Sequence, residues 1–249
     1  MALDGSPVTV ITGGTRGIGA AVARRLAGRG HALVLGYARD TQAAVELREE
    51  LSATSRVVTV CSDITSDEGV DALFDSAIER FGYVSSLVNN AGATLHLGPL
   101  EHTPTDVVRA VIDLNLTAAV ICARRAVREF DTRSIAGTIV NISSAAATTG
   151  SPGDYVHYAA AKAGVDALTL GLAKETAERG IRVVGVAPGM TATRIHADAG
   201  APDRLTQVVG RVPLGRAAGP DEIAAAVAWL LSPEASYITG TTIRVAGGL

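Results

Sequence analysis

Two alternating periods constrain this 249-residue chain more than any other feature. Short runs of β-branched and aliphatic residues recur, each followed by a longer stretch whose apolar positions repeat every three or four residues. The runs are Val8–Thr12, Ala32–Tyr37, Arg56–Cys61, Ser86–Asn89, Thr138–Ser143, Ile181–Ala187 and Ile238–Val245. Predicted helices run from a glycine turn to about Arg29, then over Thr41–Ala53, Asp67–Gly82, Pro104–Phe130, Asp154–Gly180 and Pro220–Leu231. The runs are almost continuously apolar, which suits parallel strands covered on both faces. Strand and helix alternating about seven times predict one doubly wound α/β sheet. No linker, repeat or low-complexity segment divides residues 1–249. Residues 194–218, with Pro202 and Pro213, fit neither period; with the turn from 190 they read as a short helical lid over a ligand.

Composition narrows the function classes. Aromatic residues make up only 4% of the chain against 47% hydrophobic, so the expected core is aliphatic. A formal charge of −3 and a pI near 6.0 argue against nucleic acid or an anionic membrane as the main partner. No uninterrupted apolar run approaches the roughly 18 residues a membrane span needs. The start, Met1-Ala2-Leu3-Asp4-Gly5, lacks a basic and apolar leader. Cys61 and Cys122 have no metal-ligand spacing and read as buried, reduced thiols of a cytoplasmic protein; no metal is expected.

The C-terminal strand ends of such a sheet form the ligand crevice. After the first strand come Gly13-Gly14-Thr15-Arg16-Gly17-Ile18-Gly19 and a helix. Glycines permit a sharp turn and close backbone approach, and a helix N-terminus presents free N–H groups to a phosphate. The spacing G-x3-G-x-G differs from the G-x-G-x-x-G dinucleotide fingerprint. The second strand ends in Tyr37-Ala38-Arg39-Asp40. Arg39 and Arg16 offer two cations to one phosphate, which favours NADP over NAD; Asp40 reads as a helix cap. Asp63 either binds an adenine amino group or begins a turn, and Asn90-Ala91-Gly92 forms a corner beside the adenosine ribose or a plain Asx turn. Asn115, beside the apolar stripe of the 104–130 helix, suggests a water site or a helix bend.

The chemical signal lies in Tyr158-Ala159-Ala160-Ala161-Lys162. Residues four apart on a helix share a face, so a phenol and an ammonium lie side by side. The chain has 22 Lys+Arg, of which Lys162 and Lys174 are the only lysines. A neighbouring cation lowers a phenol's pKa, which would make Tyr158 a proton donor or acceptor near neutral pH. His157 points about 100° around the helix from Tyr158 and is not expected to act. His96 and His196 read as lining residues.

In their order along the chain these residues resemble the short-chain dehydrogenase/reductase superfamily. The resemblance rests on Thr12-Gly13 through Gly17-x-Gly19, Asn89-Asn90-Ala91-Gly92, Asn115, Ser143-Ser144, Tyr158-xxx-Lys162 and Pro188-Gly189 with Thr193. It covers nearly the whole chain and is strongest to the ketoacyl-carrier-protein reductases and bacterial ketoreductases. It implies a Rossmann-type single domain with about seven parallel strands, and a homo-oligomer, tetramer or dimer. It implies catalytic roles for four residues. Tyr158 is the acid in reduction, and Lys162 holds the nicotinamide ribose and depresses the Tyr158 pKa. Ser144 binds the substrate carbonyl, and Asn115 holds a water. Ser144 stands one residue further from the tyrosine than is usual, with Ser143 adjacent. The implied NADP(H) contacts are Gly13, Thr15, Arg16, Gly17, Ile18, Gly19, Tyr37, Arg39, Asp63, Ile64, Asn90, Ala91, Gly92, Tyr158, Lys162, Pro188, Gly189, Thr191 and Thr193. The implied substrate contacts are Ser144, His96, Met190 and Ala192. Ala, Thr, Ile, Met and Val in the lid favour an apolar carbonyl substrate such as a polyketide or ketoacyl compound. The alternatives are an NAD-linked alcohol or sugar dehydrogenase working oxidatively, and a non-catalytic nucleotide-binding regulator.

Overall fold

The computed structural model describes residues 5–249; the leader reading rests chiefly on Met1–Asp4, which lie outside them. Seven strands build one sheet: β1 (Val8–Ile11), β2 (Ala32–Tyr37), β3 (Val57–Cys61), β4 (Ser86–Asn89), β5 (Thr138–Ile142), β6 (Arg182–Pro188) and β7 (Thr242–Val245). Their order is β3-β2-β1-β4-β5-β6-β7, with every neighbouring pair parallel. The order reverses between β1 and β4, and a crevice opens there over the C-terminal strand ends.

Successive residues of each strand feed opposite cores, as the two-residue strand period requires. Leu33 and Leu35 of β2 face one core with Val22 and Leu26 of α1 (Gly17–Ala27). Val34, with Val10 and Leu87, faces the other with Phe74 and Phe130. The remaining helices are α2 (Thr41–Ser52), α3 (Asp67–Phe81), α4 (Thr105–Ile112), α5 (Ala118–Arg133), α6 (Ala146–Thr149), α7 (Val156–Thr176), α8 (Arg204–Val208) and α9 (Pro220–Leu230). Helix α9 completes the first core with Ile223, Val227 and Leu230, and α3 and α5 supply the two phenylalanines of the second. Among the described residues no helix is long and apolar enough to cross a membrane.

Local rules set the element ends. Ser66 Oγ caps α3 by accepting the Gly69 N–H at 3.1 Å, and Gly82 ends the helix at φ +90°. Where the sequence predicts one helix over Pro104–Phe130, the chain forms α4 and α5 joined by a π turn at Asp113–Thr117. Asn115 sits in that turn and donates to the Val111 carbonyl at 2.9 Å, so a side chain competes with the backbone ladder. Helix α7 starts at Val156 and ends at Thr176, continuing as a 3₁₀ turn to Gly180 at φ +74°. The last strand begins at Thr242, not Ile238, because Gly240 turns at φ +70°. Cys122 is buried as expected, but Cys61 is exposed at the end of β3.

Candidate active site

A cavity of about 2000 Å³ runs along the strand ends and reaches from the glycine turn to the lid. At one end it is walled by Gly13, Thr15, Arg16, Gly17 and Ile18, with Tyr37, Arg39, Asp63 and Ile64. Gly13 and Gly17 adopt φ +59° and +51°, which a side chain would strain. Helix α1 starts directly from this turn with no side-chain cap at Arg16 and no acidic residue in its first turn. Its free N–H groups and positive end therefore suit an anion. Gly19 is not on the cavity wall; a Cβ there would lie 2.2 Å from the Gly13 carbonyl oxygen, so this glycine lets the helix pack on the turn.

The Asn90 corner braces that turn. Asn90 Nδ2 donates to the Thr12 and Gly13 carbonyls at 3.0 and 2.9 Å. Thr12 Oγ1 in return accepts the Asn90 and Ala91 N–H groups, each at 3.0 Å. The amide side chain thus serves the fold, while Asn90, Ala91 and Gly92 still line the cavity. Asp40 caps α2 by accepting the Ala43 N–H at 3.1 Å and lies 3.5 Å from Arg16. Arg39 has no side-chain partner among the described residues. Asp63 Oδ1 accepts from Thr65 Oγ1 at 2.7 Å and Thr65 N–H at 3.0 Å, which holds its carboxyl below the usual range and makes it a turn former.

The middle of the cavity is set by the end of β5 and the first turns of α7. Tyr158 is 7% exposed and packs with Val111, Ala146, Tyr155 and Ala159. Lys162 is 3% exposed; its Nζ donates to the Ile142 carbonyl at 2.8 Å and lies 5.7 Å from the centre of the Tyr158 ring. The two serines divide their work. Ser143 Oγ donates to the Lys162 carbonyl at 3.2 Å, whereas the Ser144 hydroxyl lies beside the Tyr158 phenol. Ser144 Oγ also accepts the Ala146 N–H at 3.1 Å. Asn115 lies behind the wall. Its Nδ2 donates to Ala93 and Val111, and its Oδ1 is buried with no partner. A Cβ on Gly92 would come within 2.5 Å of that oxygen and 3.3 Å of Lys162 Nζ, so both atoms border one space that glycine keeps open.

Burial governs the two central groups. It pushes the Tyr158 phenol well above the usual tyrosine range; Tyr155 adds to the rise and Ser144 opposes it. Burial pulls Lys162 down to about 8, with Asp166 opposing. This corrects the expectation that Lys162 lowers the Tyr158 pKa in the protein alone: the ammonium is turned to the Ile142 carbonyl, and desolvation dominates.

At the far end Pro188, Gly189, Met190, Thr191, Ala192 and Thr193 line the cavity, with lid residues His196 and Arg204. His96 is not on the wall; its ring folds towards Gly98, where a Cβ would meet Nε2 at 3.1 Å. His157 is buried, with Nε2 3.3 Å from the Thr94 carbonyl. Sequence reasoning passes over Asp154 and Tyr155 as site residues. An Asp-Tyr pair just before the Tyr-Lys helix was the available signal.

A parallel sheet with an uncapped glycine-turn helix at its switch point defines a dinucleotide-binding fold, and the Ser-Tyr-Lys group beside it suits redox chemistry at a C–O bond. The family described as enoyl-(acyl carrier protein) reductase matches residues 13–249. The chain is 41% identical to 3beta-hydroxysteroid dehydrogenase 1 of Eggerthella lenta, over 96% of this chain and 92% of that protein. It is 38% identical to a 3-oxoacyl-[acyl-carrier-protein] reductase of Synechocystis sp., over 97% and 96%. A short-chain dehydrogenase/reductase from Serratia marcescens superposes with a TM-score of 0.89 at 30% identity, covering 100% of this chain and 99% of that one. The protein belongs to the short-chain dehydrogenase/reductase superfamily, in its ketoreductase-like branch, and is an oxidoreductase of NAD(P)-dependent type acting on small molecules.

Proposed function

We propose that this protein is an NADPH-dependent ketoreductase that converts an apolar ketone, such as a polyketide or ketoacyl compound, to a secondary alcohol. The observation that carries the reading is the meeting of Ser144, Tyr158 and Lys162 at the cavity's centre, with Arg16 and Arg39 at its phosphate-accepting end. NADPH, when bound, supplies the hydride that reaches the carbonyl carbon.

The chain's own residues do the rest. The α1 N-terminus and glycine turn hold the pyrophosphate, and Arg16 and Arg39 the 2′-phosphate. Thr15, Ile18, Tyr37, Asp63, Ile64 and the 90–92 corner enclose the adenosine side, and Pro188, Gly189, Thr191 and Thr193 the nicotinamide side. Lys162, now bonded to the Ile142 carbonyl, would hold the cofactor's ribose hydroxyls. Ser144 and Tyr158 donate to the substrate oxygen as it gains charge, and Tyr158 gives up its proton there. The phenol holds its proton at neutral pH, as tyrosine ordinarily does, and is available there as the donor. Asn115 Oδ1, buried and unpaired next to Lys162, holds a water that returns the proton. Met190 and Ala192 contact the substrate. The enzyme works in the cytoplasm as a homo-oligomer, a tetramer or a dimer. A ketone panel followed by NADPH consumption tests the reading. Turnover of apolar ketones is expected; turnover only of polyols, or equal use of NADH, would overturn it.

A further inference from the structure

The lid is an excursion whose two ends are tied to each other. Ala192 N–H donates to the Ala218 carbonyl at 2.9 Å, and Ala218 N–H to the Met190 carbonyl at 2.8 Å. Within the excursion, two contacts converge on the residues just before α7. Arg204, the first residue of α8, pairs through Nη2 with the Asp154 carboxylate. The two side chains are 14% and 25% exposed, far drier than most ion pairs of this protein. His196 stacks on the Tyr155 ring, centres 6.2 Å apart and planes at 23°. Tyr155 in turn meets the Tyr158 ring edge-on, at 5.5 Å and 88°. The Asp154 carbonyl also accepts the Gly98 N–H at 2.6 Å, which ties the loop after the Asn90 corner to the same point.

We propose that Asp154 and Tyr155 are positioning residues for Tyr158: the Asp154–Arg204 pair latches the lid, and the latched lid's His196 holds Tyr155, which sets the plane of the phenol. Asp154 and Tyr155 belong to the turn that launches α7, so a shift of the lid is delivered one helical turn from the reacting hydroxyl. An edge-to-face aromatic contact has a preferred geometry, which lets Tyr155 fix the angle of Tyr158 and not only fill space. A part-buried arginine deprived of its carboxylate is left under-satisfied, so the latched state is favoured while both partners are present. The inference rests on the proton-donor reading of Tyr158, but the latch itself can be read without turnover.

The test uses full-length Asp154→Asn, Tyr155→Leu and the charge swap Asp154→Arg with Arg204→Asp. Native tryptic cleavage after Arg194 and Arg211 reports lid opening, and kcat and KM with an apolar ketone report the phenol. Asp154→Asn should speed lid cleavage roughly tenfold and lower kcat by a similar factor, with KM for NADPH unchanged. The swap should restore both values most of the way. Tyr155→Leu should lower kcat while the lid stays latched and uncleaved. Unchanged cleavage in Asp154→Asn, a swap that compounds the defect, or unchanged kcat in Tyr155→Leu would each overturn the proposal. A wild type inert on every ketone would sink the reductase reading instead, and the cleavage rates would still decide the latch.

Discussion

The glycine-turn end of the cavity and its centre hold similar charged groups in opposite surroundings. At the glycine-turn end the Arg16 side chain is 48% exposed and shares two loose carboxylates, Asp40 at 3.5 Å and Asp198 at 3.8 Å. Near water such pairs contribute at most about 1 kcal/mol, so Arg16 is free to change partners. At the centre Lys162 is buried, carries one hydrogen bond to a carbonyl and is pulled down to about 8. The fold tolerates an isolated cation there against its own stability. On the proposed reading, affinity rests on a group that costs little to hold and reactivity on one that the fold holds at a cost.

This contrast can be broken at several points. The largest effect is expected from Tyr158→Phe, which should lower turnover by about 10²- to 10⁴-fold with NADPH affinity intact by fluorescence titration. Lys162→Met should also abolish turnover and yet raise the melting temperature. Folding shifts this lysine from 10.5 to about 8, so its charged form is disfavoured by the fold at pH 7. The shift corresponds to an order of about 3 kcal/mol, partly offset by the lost bond to Ile142. Each net kcal/mol recovered corresponds to roughly 2–4 °C in a scan. The sign across pH follows from proton uptake. Between about 8 and 10.5 the unfolded lysine binds a proton that the folded one has lost, so wild-type stability rises with pH and the Met variant's advantage shrinks. A lower melting temperature for Lys162→Met at pH 7 would remove the asymmetry between that end and the centre. A smaller effect is expected at the exposed end. Arg39→Ser or Arg16→Ser should raise KM for NADPH about tenfold and leave KM for NADH alone. Their melting temperatures should stay within about a degree of wild type. The smallest change should come from salt: about 0.5 M NaCl should raise KM for NADPH a few-fold without touching kcat.

Strand-by-strand, the sheet was readable because a strand buried on both faces leaves an almost continuous apolar and β-branched run, as at Val8–Ile11 and Val183–Val186. The break between α4 and α5 was not, because periodicity records which face is apolar and not that one amide captures a backbone carbonyl. The pairing of Tyr158 and Lys162 was legible from helical spacing, and Ser144 joined them through the family resemblance. The direction of the Tyr158 pKa shift was not, since it depends on how deeply α7 seats the phenol between α4 and α6. His96 was misplaced because a loop residue's position follows its neighbouring glycine's turn rather than its distance from a motif. The Arg204–Asp154 contact joins residues 50 apart, and nothing local announces it.

The backbone stitching at Met190, Ala192 and Ala218 has a bearing on how this scaffold could be re-purposed. Because the entry and exit of that segment hold one another, its exposed positions can change so long as His196 and Arg204 keep their places against Tyr155 and Asp154. The closed base separates those positions from the β-sheet, which makes them the natural place for selection, or an engineer, to retune which molecules are admitted.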